Sequence, residues 1–145
     1  MAKNYSLKEI QKRIKPVLEK YPVIACWIFG SQVEKKKITP LSDFDFAVQL
    51  SEKTKKSKYF DIKIKLLSDL MGALKTNKVD LVVINEPKIP LLLKFNIIRG
   101  KVLYCKNRRK KAYLEFEIMK NWFDWEYFEK LWGDIFVSQV AKGVI

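Results

Sequence analysis

Residues 23–29, Val-Ile-Ala-Cys-Trp-Ile-Phe, form an unbroken apolar run between Pro22 and Gly30, the pattern of a strand buried on both faces. From Asp43 to Leu50 the pattern becomes strict alternation, with Phe44, Phe46, Val48 and Leu50 on one side and Asp43, Asp45, Ala47 and Gln49 on the other. That period of two predicts a second strand with one face for packing and the other for chemistry. Upstream, Ser6-Leu7-Lys8-Glu9 reads as a capping box. Leu7, Ile10, Ile14, Val17 and Leu18 then follow helical spacing, with Pro16 a kink point inside the run. Downstream, Tyr59 to Leu74 predicts an amphipathic helix through Phe60, Ile64, Leu67, Leu70 and Met71, and Val79 to Ile84 a third strand. Pro90 to Ile98 reads as a short helix, Gly100 as a turn, and Lys101 to Cys105 as a last strand. Alternating elements of this kind belong to the α/β (α+β) class.

The remaining stretch predicts one long terminal helix, opened by Arg108 to Lys111, with two apolar stripes. Leu114, Ile118, Trp122, Trp125, Phe128 and Trp132 make one; Phe116, Met119, Phe123, Tyr127, Leu131 and Ile135 make the other. Two stripes are more than one flank of a small core requires, which leaves two readings open: both pack on the domain, or one serves a subunit interface. No repeat, low-complexity linker or second-domain boundary interrupts the chain.

Composition narrows the chemistry. At 145 residues, 48% hydrophobic and 13% aromatic, the chain can bury a core and is not a disordered one. Its longest apolar run is far too short to span a bilayer, and the N-terminus lacks a signal peptide's apolar segment, so a cytoplasmic protein without membrane contact is expected. Histidine is absent, which removes Ser-His-Asp and Cys-His triads and His-ligated zinc, and leaves carboxylates to do acid–base work. Cys26 and Cys105 sit in apolar strand runs without Cys-x-x-Cys spacing and read as small buried hydrophobes. The net charge of +13 calls for an anionic partner: nucleotide phosphates, nucleic acid or an acidic protein. Lys53 to Lys58 and Arg108 to Lys111 read as solvated surface, whereas Lys35 to Lys37 lie in the loop between the two halves of the strongest motif.

That motif is Phe29-Gly30-Ser31, eleven residues, then Asp43-Phe44-Asp45. A Gly-Ser corner after a buried strand frees backbone N–H groups to face an anion. Asp43 and Asp45, two apart on a strand, point to one face and can hold metal beside that anion. Asp80, a lone acid at the edge of the apolar third strand, would complete a three-carboxylate cluster if that strand lies beside Asp43 and Asp45. Aromatic Phe44 and Phe46, and the lack of a loop Gly and terminal Glu, exclude an EF-hand. Paired carboxylates beside a phosphate turn point to metal-assisted phosphoryl or nucleotidyl transfer.

Gly-Ser, Asp-x-Asp and a later strand Asp together resemble the DNA polymerase beta superfamily of nucleotidyltransferases, and the short length resembles its minimal, MNT-type members. The likeness covers roughly residues 7–106, including Ile-Ile-Arg-Gly-Lys-Val-Leu-Tyr at 97–104. It implies a mixed sheet flanked by helices, a minimal nucleotidyltransferase domain over 1–106, and a helical extension of the same domain over 107–145. It also implies that Gly30 and Ser31 bind the triphosphate of ATP, that Asp43 and Asp45 hold two Mg²⁺ ions, and that Asp80 holds one of them and helps activate the acceptor hydroxyl. Two departures stand out: the spacer is eleven residues where ten is usual, and Glu34 occupies a position where many members carry Arg. Triphosphate grip is therefore expected to lean on Lys35 to Lys37.

Minimal members of this kind pair with HEPN-domain ribonuclease toxins and transfer AMP to a toxin tyrosine, so the resemblance implies an antitoxin with such a partner. The chain carries no large substrate-recognition domain, which fits an acceptor delivered by another protein. Two alternatives remain: an RNA or tRNA 3′-end nucleotidyltransferase, steered by the basic surface, and an antitoxin that neutralises by binding alone.

Overall fold

The computed structural model describes residues 5–30 and 43–143, apart from a few side chains late in the last helix. Ser31, Glu34 and Lys35 to Lys37 lie outside the described residues, as does the Phe128 side chain. The elements run α1 (Leu7–Leu18), β1 (Val23–Phe29), β2 (Phe44–Leu50), α2 (Tyr59–Leu74), β3 (Val79–Val83), α3 (Leu91–Ile98), β4 (Lys101–Cys105) and α4 (Arg108–Ala141), with a short 3₁₀ turn over Lys56–Lys58 before α2.

Local chemistry accounts for most of these boundaries. Ser6 caps α1 by accepting a hydrogen bond from the Glu9 backbone N–H at 3.2 Å, so one of the orphan donors of the first turn is satisfied. Pro90 is the N-cap of α3, its extended backbone entering the helix, and Lys75 ends α2 in a left-handed conformation, φ 55°. Gly100 permits the closest approach in the fold: a Cβ there would lie 2.3 Å from the carbonyl oxygen of Ile28, so only glycine lets the turn between α3 and β4 press against β1.

The strands form a four-stranded mixed sheet in the order β3-β2-β1-β4. Strand β1 pairs antiparallel with both β2 and β4, while β2 and β3 run parallel. A parallel neighbour needs a crossover, and α2 supplies it. Being central, β1 is buried along nearly its whole length, as its continuous apolar run requires.

Helices cover both faces. On one, Phe44, Phe46, Val48 and Leu50 of β2 pack with Ile10, Ile14 and Leu18 of α1 and Leu66, Leu70 and Leu74 of α2. On the other, Ala25, Trp27 and Ala47 pack with Ile97 of α3 and Ile118 of α4. The second face of β2 is thus not given over to chemistry as its alternation predicts. Ala47 is fully buried and Gln49 nearly so, with Gln49 Nε2 donating to the Lys110 carbonyl 3.3 Å away in the first turn of α4. Among the described residues, that face of β2 is accessible at its Asp43–Asp45 end.

Of the charge cluster Arg108 to Lys111, Arg108 and Arg109 are exposed, while Lys110 pairs with Glu52 at 2.9 Å and Lys111 with Glu115. Cys26 is buried and Cys105 partly buried, and both are free thiols; burial pushes the Cys26 thiol well above its ordinary range. Among the described residues, no helix is long and apolar enough to cross a membrane.

Candidate active site

The topology gathers the motif at one edge of the sheet. Because β1 and β2 are antiparallel, the end of β1, with Gly30, meets the start of β2, with Asp43 and Asp45. Because β2 and β3 are parallel, their starts also coincide, and Asp45 stands level with Asp80 in the ladder. The Phe44 N–H donates to the Lys78 carbonyl at 2.9 Å and pins that register where the acids lie. Residues level across neighbouring strands project to the same face, so Asp45 and Asp80 are neighbours in space although 35 positions separate them in sequence.

Asp43 precedes β2 and is exposed, Asp45 is partly buried, and Asp80 is exposed. Burial first, then the nearby charges of Asp80 and Asp43, push the Asp45 carboxyl above its ordinary value. Those like charges lie near enough to oppose ionisation of Asp45. Gly30 closes the group from the β1 side. Its φ is +93°, and a Cβ built on it would stand 2.8 Å from Asp45 Oδ2, so the carboxylate occupies space that any other residue would fill. Gly30, Asp43, Asp45 and Asp80 are therefore brought together, while Ser31 and the lysines of the connecting loop lie outside the described residues.

A cation fits this donor set. The donor oxygens of Asp43, Asp45 and Asp80 are all carboxylate, which suits a hard ion such as Mg²⁺. Among the described residues no three acidic, Cys or His side chains close into a metal-binding group. That is compatible with Mg²⁺, which keeps several waters and is commonly held by one or two carboxylates together with substrate phosphates.

How closely Gly30 and Asp45 depend on each other is not legible in the sequence. The motif shows a glycine after a strand, but only the pairing of Phe29 with Asp45 across β1 and β2 brings the carboxylate against it.

A mixed sheet with a glycine corner and acids at the starts of two parallel strands defines a nucleotidyltransferase domain. Residues 12–109 match the family described as Polymerase beta, Nucleotidyltransferase, and the chain belongs to that family. No curated protein matches it in sequence. Among solved structures it is similar to a chain of the MntA–HepT toxin–antitoxin, at 16% identity and TM-score 0.59, over 86% of this chain and 94% of the other. It is similar also to a chain of the complex of tri-AMPylated HEPN toxin with MNT antitoxin from Shewanella oneidensis, at 17% identity and TM-score 0.60, over 88% and 96%. A toxin–antitoxin solved with AMP-PNP matches at 17% identity and TM-score 0.61, over 86% and 95%. At such identities the likeness is one of fold.

Proposed function

We propose that this protein is an Mg²⁺-dependent protein adenylyltransferase, an antitoxin that transfers AMP from ATP to a tyrosine of a HEPN-type ribonuclease toxin and thereby neutralises it in the cytoplasm. The observation that carries the proposal is the alignment of Asp45 with Asp80 on parallel strands, with the Asp45 carboxylate seated against Gly30. The family match supports the chemistry. The acceptor is supported by the fold neighbour in which a HEPN toxin is AMPylated and bound to an MNT antitoxin.

In this reading Asp43 and Asp45 hold two Mg²⁺ ions, and Asp80 holds one of them. Bound there, Mg²⁺ supplies charge stabilisation for the reacting phosphates. Gly30, whose left-handed backbone turns the chain at the end of β1, offers the triphosphate its N–H, and Ser31 offers a hydroxyl and an N–H. Asp80, exposed at the rim, accepts the proton of the tyrosine hydroxyl as its oxygen bonds to the α-phosphorus. The bond from the α-phosphorus to the bridging oxygen breaks, and pyrophosphate leaves. AMP remains on the tyrosine.

The test incubates the full chain with ATP labelled at the α-phosphate, Mg²⁺, and either the HEPN-type protein of the same host or its tRNA. Label on a toxin tyrosine, lost on chelation with EDTA, is expected. Label on the RNA 3′ end instead would move the acceptor to nucleic acid, and toxin neutralisation without any label would leave an antitoxin that works by binding alone.

A further inference from the structure

We infer that the distal half of α4 is the docking surface for the partner, a helical protein that covers this helix from two opposite sides. The inference rests on the toxin–antitoxin reading for the partner's identity and on the following observations for the surface.

The first part of α4 is packed into the fold. Ile118 is buried in the second core with Leu114 beside it, and Trp122 stacks on Phe95 of α3 with ring centroids 4.6 Å apart. The helix nevertheless continues to Ala141, on the order of 27 Å beyond Trp122 and Phe123 at 1.5 Å per residue. Along that continuation Phe123, Trp125, Tyr127 and Trp132 are 56%, 50%, 69% and 57% exposed, and Leu131 is 44% exposed.

These side chains do not lie on one face. At about 100° per residue, Phe116, Phe123, Tyr127 and Leu131 fall on one side of α4, and Trp125 and Trp132 on roughly the opposite side. Among the described residues the first stripe is exposed from Phe116 onward, and the second is buried at Ile118, where it meets the sheet and α3, and exposed at Trp125 and Trp132. A helix apolar on opposite sides is one that assembly buries.

The exposed parts of these six residues sum to roughly 700 Å², taking ordinary side-chain areas. That is close to the ~800 Å² per partner of a stable protein interface, and far above what scattered surface hydrophobes amount to. The two-sidedness selects the occupant. A second copy pairing its own α4 about a two-fold axis would cover one stripe and leave the other in water. A partner presenting two helices, with α4 seated between them, covers both, and a helical bundle has that shape.

The experiment uses the full chain and the purified HEPN-type protein of the same host. Tyr127→Asp with Leu131→Asp places two charges on the outer stripe, where exposure predicts an unchanged thermal melt. Binding should weaken at least a hundred-fold, given that central aromatic anchors dominate interfaces. AMP transfer should recover at high toxin concentration, because the active site is untouched. Separately, a photo-crosslinking residue at position 127 should join the chain to the toxin. Binding unchanged in the double variant, or a crosslink only to a second copy, would overturn the docking surface while leaving the adenylyltransferase reading in place. Failure of the unmodified chain to bind the toxin at all would overturn both. Should the double variant unfold, the crosslink decides alone.

Discussion

The carboxylate of Asp45 stands where a Gly30 side chain would be, its Oδ2 2.8 Å from the position of a Cβ. The backbone bend at the end of β1 and the placement of the central acid are therefore one feature. A residue with a side chain at position 30 must both strain a φ of +93° and displace Asp45.

Gly30→Ala should accordingly cost about 1–3 kcal/mol of stability through backbone strain. It should reduce AMP transfer by a larger factor than stability alone explains, because Asp45 moves. Chemical denaturation and α-phosphate incorporation measured on the same preparation check this; full activity in the variant would mean that Asp45 need not stay where it is.

Asp43→Ala and Asp45→Asn should each lower transfer by at least about a hundred-fold, as expected when charge stabilisation of the transition state is lost. Asp45→Asn should also melt no lower than the parent at neutral pH without metal. The amide keeps the shape and removes a partly buried charge that Asp80 and Asp43 oppose. A large fall in its melting temperature would reassign Asp45 to a structural role.

Asp80→Asn should separate binding from turnover. The side chain is exposed at the start of β3, and its proposed tasks, sharing one Mg²⁺ with the other acids and accepting the proton of the acceptor hydroxyl, bear on turnover more than on nucleotide affinity. ATP affinity by calorimetry should stay within a few-fold of the parent while the transfer rate collapses; equal losses in both would make Asp80 a nucleotide-binding residue.

Away from the site, the Tyr21 hydroxyl donates to Asp69 Oδ2. That hydrogen bond first, then burial and the Asp69 charge, push the Tyr21 pKa up to about 12. Because the folded value is raised, the contribution is fully present below the unfolded tyrosine value of about 10 and is lost as pH rises through about 12. Urea denaturation of the parent and Tyr21→Phe at pH 8 and above pH 11 should therefore show a stability gap that narrows at the higher pH. A constant gap would mean that the hydroxyl contributes nothing to the link between α2 and the turn that follows α1.

Local pattern determined much of this protein. The apolar run at 23–29 reads as a strand buried on both faces, the period of two from Phe44 onward placed Phe46 and Val48 in the core, and helical spacing marked α1 and α2. These are short-range consequences of where apolar side chains recur, and neighbours in sequence suffice to set them. The acids were visible too, since Asp43 and Asp45 alternate to one face of one strand and Asp80 interrupts an apolar run. Only the tertiary structure decided that Asp80 stands level with Asp45, because that register depends on α2 returning the chain parallel to β2. It likewise decided that the far end of the acidic face is closed: Ala47 and Gln49 look like Asp45 in the alternation, but α3 and α4 fold over them. The two stripes of α4 were equally apolar in sequence. Which part of them is core was settled by where α3 ends, since Phe95 reaches Trp122 and Phe123 and the helix beyond outlasts the domain it grows from.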